Sequence, residues 1–393
     1  MKKTIIKNGQ IITPYRNIGL GYVVIEGGKI LDVGTGNIEI TDANVIDVNE
    51  AYIAPGFIDL HTHGAGNADF MDGTVEAYLQ VAQTQAKYGT TLLFPTTLTS
   101  TNEVLFKTFD LYKEANEKNT HGATFGGMHL EGPYFAFEQR GAQDPRFLRN
   151  PDPKEYLEIL DRSNDIARWS IAPELPGALA LGRELVKRGI QPSIAHTNAT
   201  YEEALIAFEN GFRNITHFYS CISGISRRNA FRFAGVTECG YAIDEMTVEI
   251  IADGIHVPES LLKLIYKIKG AENIALVTDS MRAAGMPEGR SVLGGLTDGQ
   301  EVLVEDGVAK LLDRTAFAGS VATANRLIRT MHQVGEVPLV ECVRMMTSTP
   351  ARIAKVDDSK GSLLPGKDAD IVIFDKEIDI KMTIIGGRII YKK

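Results

Sequence analysis

The chain has 393 residues, of which 44% are hydrophobic and 23% charged, and it carries a net charge of −9. That length allows two or three domains or one α/β barrel with additions, and that charge leaves no strongly basic surface for a phosphate backbone, which argues against nucleic-acid binding. The three cysteines, Cys221, Cys239 and Cys342, are too few and too scattered for a disulfide framework or a CxxC metal site, and they suit a reducing cytosol.

Met1-Lys2-Lys3 begins as a signal peptide would, but strand-like alternation follows and reaches Asn8-Gly9 before any apolar run of sufficient length. No stretch approaches the roughly 20 apolar residues that span a bilayer, so a cytoplasmic protein without membrane contact is expected. Residues 1–52 read as all-β, with short runs such as Thr4-Ile5-Ile6-Lys7 and Tyr22-Val23-Val24-Ile25-Glu26 separated by Asn-Gly and Gly-Gly turns. From residue 53 the pattern changes to strand, loop and helix in succession. Candidate strands lie at about 53–60, 90–96, 124–130, 168–173, 190–195, 212–216, 247–252 and 273–278, with amphipathic stretches such as Val75 to Tyr88 and Glu259 to Lys267 between them. Eight near-continuously apolar strands alternating with helices predict an α/β fold, a parallel (β/α)8 TIM-like barrel over 53–357. Residues 300–312 predict a hairpin turned at Glu305-Asp306-Gly307, followed by helices over 321–334 and 337–354. The chain then returns to β, and the two terminal segments, 1–52 and 358–393, are expected to pair into one small β domain beside the barrel.

In such a barrel the C-terminal ends of the strands share one face, so residues distant in sequence converge there. Five candidate strands end in metal-ligand side chains: His61 and His63, Glu131, His196, His217 and Asp279. Glu131, His196 and His217 supply imidazole nitrogen and carboxylate oxygen from three strands, the donor set of a catalytic zinc site. His61 and His63, two apart on an extended backbone, point to one side and can hold a second ion, with Glu131 as the bridging carboxylate. Only eight histidines occur in the chain, and four fall at these strand ends. His129 alternates towards the same side but deeper, while His121 and His332 read as surface residues. A carboxylate beside a metal-activated water can take its proton and pass it to a leaving group, and Asp279 is placed for both steps.

The segments Pro55-Gly56-Phe57-Ile58-Asp59-Leu60-His61-Thr62-His63-Gly64 and Gly361-Ser362-Leu363-Leu364-Pro365-Gly366-Lys367-Asp368-Ala369-Asp370 resemble those of the amidohydrolase superfamily. Within it, His129-Leu130-Glu131-Gly132-Pro133, Asp253-Gly254-Ile255-His256, Val277-Thr278-Asp279-Ser280-Met281 and Ala318-Gly319-Ser320 resemble the N-acetylglucosamine-6-phosphate deacetylase family. The resemblance implies a metal-dependent hydrolase with an ellipsoidal barrel, a β-sandwich built from both termini, and a homodimer. It implies removal of acetate from N-acetyl-D-glucosamine 6-phosphate by metal-bound hydroxide, giving glucosamine 6-phosphate in amino-sugar catabolism or cell-wall recycling. By position, Glu131, His196 and His217 match the metal ligands, His61 and His63 match the subgroup that holds two ions, and Asp279 matches the general base and acid. His256 matches a substrate-binding histidine, and Arg227 or Arg228 an arginine that reaches phosphate, often across the dimer interface. Ala142, Gln143, Ser220, Cys221, Phe317, Ala318 and Gly319 fall in the implied substrate shell. The ion is expected to be zinc, with iron, manganese and cobalt also admitted by these ligands.

Two departures fall in that shell. The chain has Arg140-Gly141-Ala142-Gln143 where the family commonly has Lys-Gly-Ala-His, and His217-Phe218-Tyr219-Ser220-Cys221-Ile222 where it commonly has His-Leu-Phe/Tyr-Asn-Ala-Met. They leave open another N-acyl substrate, such as N-acetylgalactosamine 6-phosphate, an N-acyl amino acid or a cyclic amide. An inactive binding relative is the reading from another class, opposed by retention of the metal ligands and Asp279.

Overall fold

The structure, a computed structural model, describes residues 2–393. Both ends of the chain enter one eight-stranded sheet, in the order Arg388–Lys392, Ile380–Ile385, Ile371–Phe374, Tyr52–Pro55, Thr4–Ile12, Asn17–Glu26 and Lys29–Thr35. Asn44–Asp47 pairs in parallel beside the first half of Thr4–Ile12. Gly27 and Gly28, with φ of 59° and 80°, make the tight turn between the second and third strands, a backbone that side-chain-bearing residues resist. The start of Lys29–Thr35 also meets the segment that leads into Ile371–Phe374, Ala369 N–H donating to Gly28 O and Ile30 N–H to Lys367 O, both at 2.9 Å. Ile6, Ile11, Val23, Ile25, Ile371 and Ile384 close the core so formed.

Eight parallel strands form the barrel: Phe57–Thr62, Thr90–Pro95, a third split into Thr124–Phe125 and Met128–Glu131, then Ile166–Ile171, Gln191–Ile194, Asn214–Ile215, Thr247–Ile250 and Ile274–Leu276. They run in two ladders, which parallel bridges Thr96 to His129 and Thr62 to Ser280 join into a ring. Every residue of Phe57–Thr62 and Thr90–Pro95 is buried, as strands covered on both faces must be. The surrounding helices start at side-chain caps. Thr74 accepts from Ala77 N–H, Asp152 caps a helix opening with Pro153, and Thr200 and Glu203 form a capping box.

Three local differences from the sequence reading have physical causes. The apolar run expected as one strand over 53–60 divides at Gly56. Tyr52–Pro55 pairs with Thr4–Ile12 and Ile371–Phe374, and only Phe57–Thr62 belongs to the barrel. Both pieces are buried, so hydropathy does not mark the change of partner. The helix expected over 337–354 is two, Leu339–Met345 and Ser348–Ile353. Pro350 has no N–H to give the Met346 carbonyl, which accepts instead from Ile58 N–H at 2.9 Å. The hairpin Gln300–Glu305/Val308–Leu311 is extended to three strands by Gly289–Leu293. Among the described residues, no helix is long and apolar enough to cross a membrane.

Candidate metal centre and substrate cavity

His61 and His63 lie at the end of the first barrel strand, and Glu131 is the last residue of the third. His196, His217 and Asp279 each follow a strand in the left-handed region, with φ of 44°, 30° and 45°. Such a conformation costs a residue with a Cβ about 1–3 kcal/mol and persists where surroundings enforce it. Here it turns the chain sharply at the strand end and carries the side chain over the barrel mouth. Gly319 serves the same rim. Its φ is 64°, and a Cβ there would stand 3.1 Å from the Asp279 carbonyl oxygen.

Two groups of ligand atoms result, His61 with His63 and Asp279, and Glu131 with His196 and His217. Glu131 Oε1 lies 3.3 Å from His196 Nε2 and 3.1 Å from His217 Nε2, while Oε2 lies 3.3 Å from His63 Nε2. One carboxylate therefore faces both groups. Asp279 Oδ1 is 3.4 Å from His61 Nε2 and 3.2 Å from His63 Nε2. The imidazoles themselves approach closely, Nε2 to Nε2, at 3.2 Å for His61 and His63 and 3.1 Å for His196 and His217. Burial alone would raise the Glu131 carboxyl, but the facing imidazoles hold it well below the carboxylate range. Asp279 is likewise lowered against burial by His61 and His63.

The donor chemistry fits a divalent cation. Nδ1 of His63, His196 and His217 is set against the carbonyls of Thr96, Gln139 and Ser220, at 3.2, 2.8 and 3.1 Å. A carbonyl accepts only, so Nδ1 carries the proton and Nε2 keeps its lone pair for a metal. His129 stays below this layer. Its Nε2 is 2.7 Å from Ser170 Oγ, and burial lowers its pKa well below the ordinary imidazole value. His121 and His332 are exposed.

Above the ligands opens a cavity of about 310 Å³. Of the substrate-shell residues, Ala142, Gln143, Ser220, Cys221, His256, Phe317 and Gly319 line it. Ala318 does not. It is fully buried and donates its N–H to Ala309 O at 3.0 Å. Arg227 and Arg228 are also outside, on an exposed hairpin of Ser226–Arg228 with Phe231–Phe233. His256 is held by Asp253, Nδ1 to Oδ2 at 2.8 Å, with its ring 4.6 Å from that of Phe317.

Sequence reasoning missed several contributors. Leu98, which lines the cavity, and Thr99, which holds Gln143, follow the second strand at its C-terminal end, a position that could have flagged them. Leu293 comes from the unanticipated third strand beyond the barrel, for which no local signal existed. Asp59, Arg168 and Glu249 lie below the ligands and are wholly enclosed, at 0–1% exposure. A charged residue inside an apolar strand was the available signal.

A closed parallel barrel with imidazole and carboxylate ligands at its strand ends, beside a sheet made from both termini, defines a metal-dependent hydrolase of the amidohydrolase class. The chain belongs to the amidohydrolase family, whose pattern matches residues 52–390. It is 32% identical to the N-acetylglucosamine-6-phosphate deacetylase of Lysinibacillus sphaericus, over 93% of this chain and 92% of that one. It is 30% identical to the N-acetylgalactosamine-6-phosphate deacetylase of Escherichia coli O157:H7, over 92% and 93%. Among solved structures it is similar to the N-acetyl-D-glucosamine-6-phosphate deacetylase of Mycobacterium smegmatis, an aspartate-to-alanine variant in complex with N-acetyl-D-glucosamine-6-phosphate. That likeness has a TM-score of 0.91 and 27% identity, and covers 100% of both chains.

Proposed function

We propose that this protein hydrolyses the acetamide of N-acetyl-D-glucosamine 6-phosphate to acetate and glucosamine 6-phosphate. The observation that carries the reading is the placement of Asp279. Among the described residues it is the one carboxylate besides Glu131 that lines the cavity, and its close imidazole contacts run through Oδ1, leaving lone pairs on Oδ2 for a proton. Ionised at neutral pH like any carboxylate, it can act first as a base.

One or two divalent ions, zinc by ligand type, would be held by Glu131, His196 and His217 and by His61, His63 and Asp279. A bound ion supplies Lewis-acid polarisation of the amide carbonyl and acidifies water. Asp279 takes a proton from the attacking water and returns it to the departing nitrogen, so that the C–N bond breaks to a neutral amine. His256, its Nδ1 tied to Asp253, has the Nε2 lone pair left to accept from a sugar hydroxyl. Ala142, Ser220 and the loop through Gly319 border the sugar.

The cavity lining contains no arginine or lysine among the described residues, although the substrate carries a phosphate. Arg227 and Arg228 project on a hairpin whose Phe231 is 74% exposed. A homodimer in which this hairpin reaches the partner's cavity supplies both the missing cation and the cover for that ring, and arginine grips phosphate through two parallel donors.

The deciding experiment is steady-state deacetylation of N-acetylglucosamine 6-phosphate, N-acetylgalactosamine 6-phosphate and unphosphorylated N-acetylglucosamine, with wild type and Asp279→Asn in saturating zinc. Turnover selective for the glucosamine phosphate and lost in the variant is expected. Equal or better turnover of either alternative sugar would overturn the substrate assignment.

A further inference from the structure

Three of the four converging imidazoles have their outer nitrogen set against a backbone carbonyl, and His61 does not. Its Nδ1 is buried without a hydrogen-bond partner, and 3.9 Å away stands Glu249 Oε2, itself buried and unpartnered. Glu249 belongs to the seventh barrel strand, Thr247–Ile250, and is fully enclosed. Its other oxygen accepts from Asn214 Nδ2 at 2.6 Å and pairs with the Arg168 guanidinium. Arg168 in turn donates to the carbonyl of Leu60, the residue before His61, at 2.8 Å.

An enclosed donor or acceptor left unmade costs about 1–3 kcal/mol. Two such atoms facing each other would both be satisfied by closing the gap between them. On the other side of the ring, His61 Nε2 is 3.2 Å from His63 Nε2 and 3.4 Å from Asp279 Oδ1. We propose that Glu249 is the positioning residue of the second metal group: its Oε2 accepts the Nδ1 proton of His61 and so presents the Nε2 lone pair to a cation shared with His63 and Asp279. Arg168 balances the carboxylate charge and ties it to the strand that carries His61. A carboxylate behind a ligating histidine fixes the tautomer and raises ligand basicity. The inference rests on the reading of His61, His63 and Asp279 as a metal group.

Glu249→Gln tests it, because the side chain keeps its size and its carbonyl can still accept from Arg168 and Asn214. Its NH2, turned to His61, demands an acceptor at Nδ1 and puts the proton on Nε2. Zinc and cobalt titrations read by calorimetry, with metal counted after gel filtration, are run on wild type, Glu249→Gln and His61→Ala. The expected result is two ions in wild type, with the second site weakened about 10–100-fold in Glu249→Gln and the first unchanged. If Glu249→Gln fails to fold, Arg168→Met/Glu249→Gln removes the unbalanced charge and gives the same comparison. A second readout needs no variant, since 15N spectra of the zinc-loaded wild type should show His61 protonated on Nδ1.

Two ions held with wild-type affinity in Glu249→Gln, at a lower melting temperature, would mean that Glu249 only balances Arg168, and the proposal would fall alone. A wild type whose metal content is indifferent to His61→Ala would remove the second metal group and the proposal together.

Discussion

Gln143 donates its amide to Glu131 Oε2 across 2.7 Å while its own carbonyl accepts from both the N–H and the hydroxyl of Thr99, each at 2.9 Å. The two Thr99 donors settle which end of the amide faces Glu131. Gln143 thus holds the plane of the carboxylate that faces both metal groups, besides lining the cavity. Hydrogen bonds to a charged group contribute about 1.5–3 kcal/mol. Gln143→Ala is therefore expected to weaken zinc binding about 10–100-fold, measured by competition with a chromogenic chelator. An unchanged affinity with a raised KM would assign Gln143 to the substrate alone.

Asp279→Asn removes the proton acceptor while keeping the shape of the side chain. A loss of about 10²–10⁴-fold in kcat is expected. Because the residue also faces His61 and His63, metal content should be measured beside the rate. A rate that returns at high zinc would trace the loss to weakened metal binding and not to a missing base.

Cys221 lines the cavity and is partly accessible, whereas Cys239 and Cys342 are enclosed. Burial pushes the Cys239 thiol up to about 11 and raises that of Cys342 as well. An aromatic disulfide reagent at pH 8 should modify Cys221 rapidly and the other two only after unfolding. Zinc with a substrate analogue should slow the first reaction, read as the rate of thiolate release. Indifference to both would place Cys221 away from bound substrate.

Lys360 bonds Asp370 at 2.5 Å and Asp368 at 3.0 Å, tying the segment after the last barrel helix to the terminal sheet. Burial opposes its charge, yet the two aspartates hold its pKa above the ordinary 10.5, and Asp368, despite burial, is held below 3.8 by Lys29 and Lys360. The raised lysine contributes fully below 10.5 and loses its contribution as pH climbs through the folded value. The depressed aspartate contributes above 3.8 and fails as pH drops through its folded value. Stability from this cluster should be flat between those limits. Lys360→Met should lower the urea midpoint at pH 7 and remove the alkaline decline, and an unchanged alkaline limb would assign that decline elsewhere.

Arg227→Ala/Arg228→Ala should raise KM for the phosphorylated sugar about tenfold or more and leave turnover of an unphosphorylated analogue unchanged. Phe231→Asp should shift the sedimentation coefficient towards a monomer. A monomeric wild type with full activity would end the role given to the hairpin.

The strand ends were legible in the sequence because enclosed parallel strands need unbroken apolar runs. A histidine or carboxylate at the end of such a run stands out, as His61, Glu131, His196, His217 and Asp279 do. Their convergence followed from the shared direction of barrel strands. Other features depend on contacts between distant segments, which leave no periodic trace. The change of partner at Gly56, the third strand at Gly289–Leu293 and the projection of Arg227 away from its own cavity are of this kind. So is the ring of charge beneath the ligands. Arg168 and Glu249 are separated by 81 residues and meet only once the barrel closes, and only then does His61 alone among the converging histidines set its Nδ1 towards a carboxylate and not a carbonyl. Local pattern determined which side chains stand at the mouth of the barrel. Tertiary packing decided how each is turned, because orientation is set by neighbours that the chain brings from elsewhere.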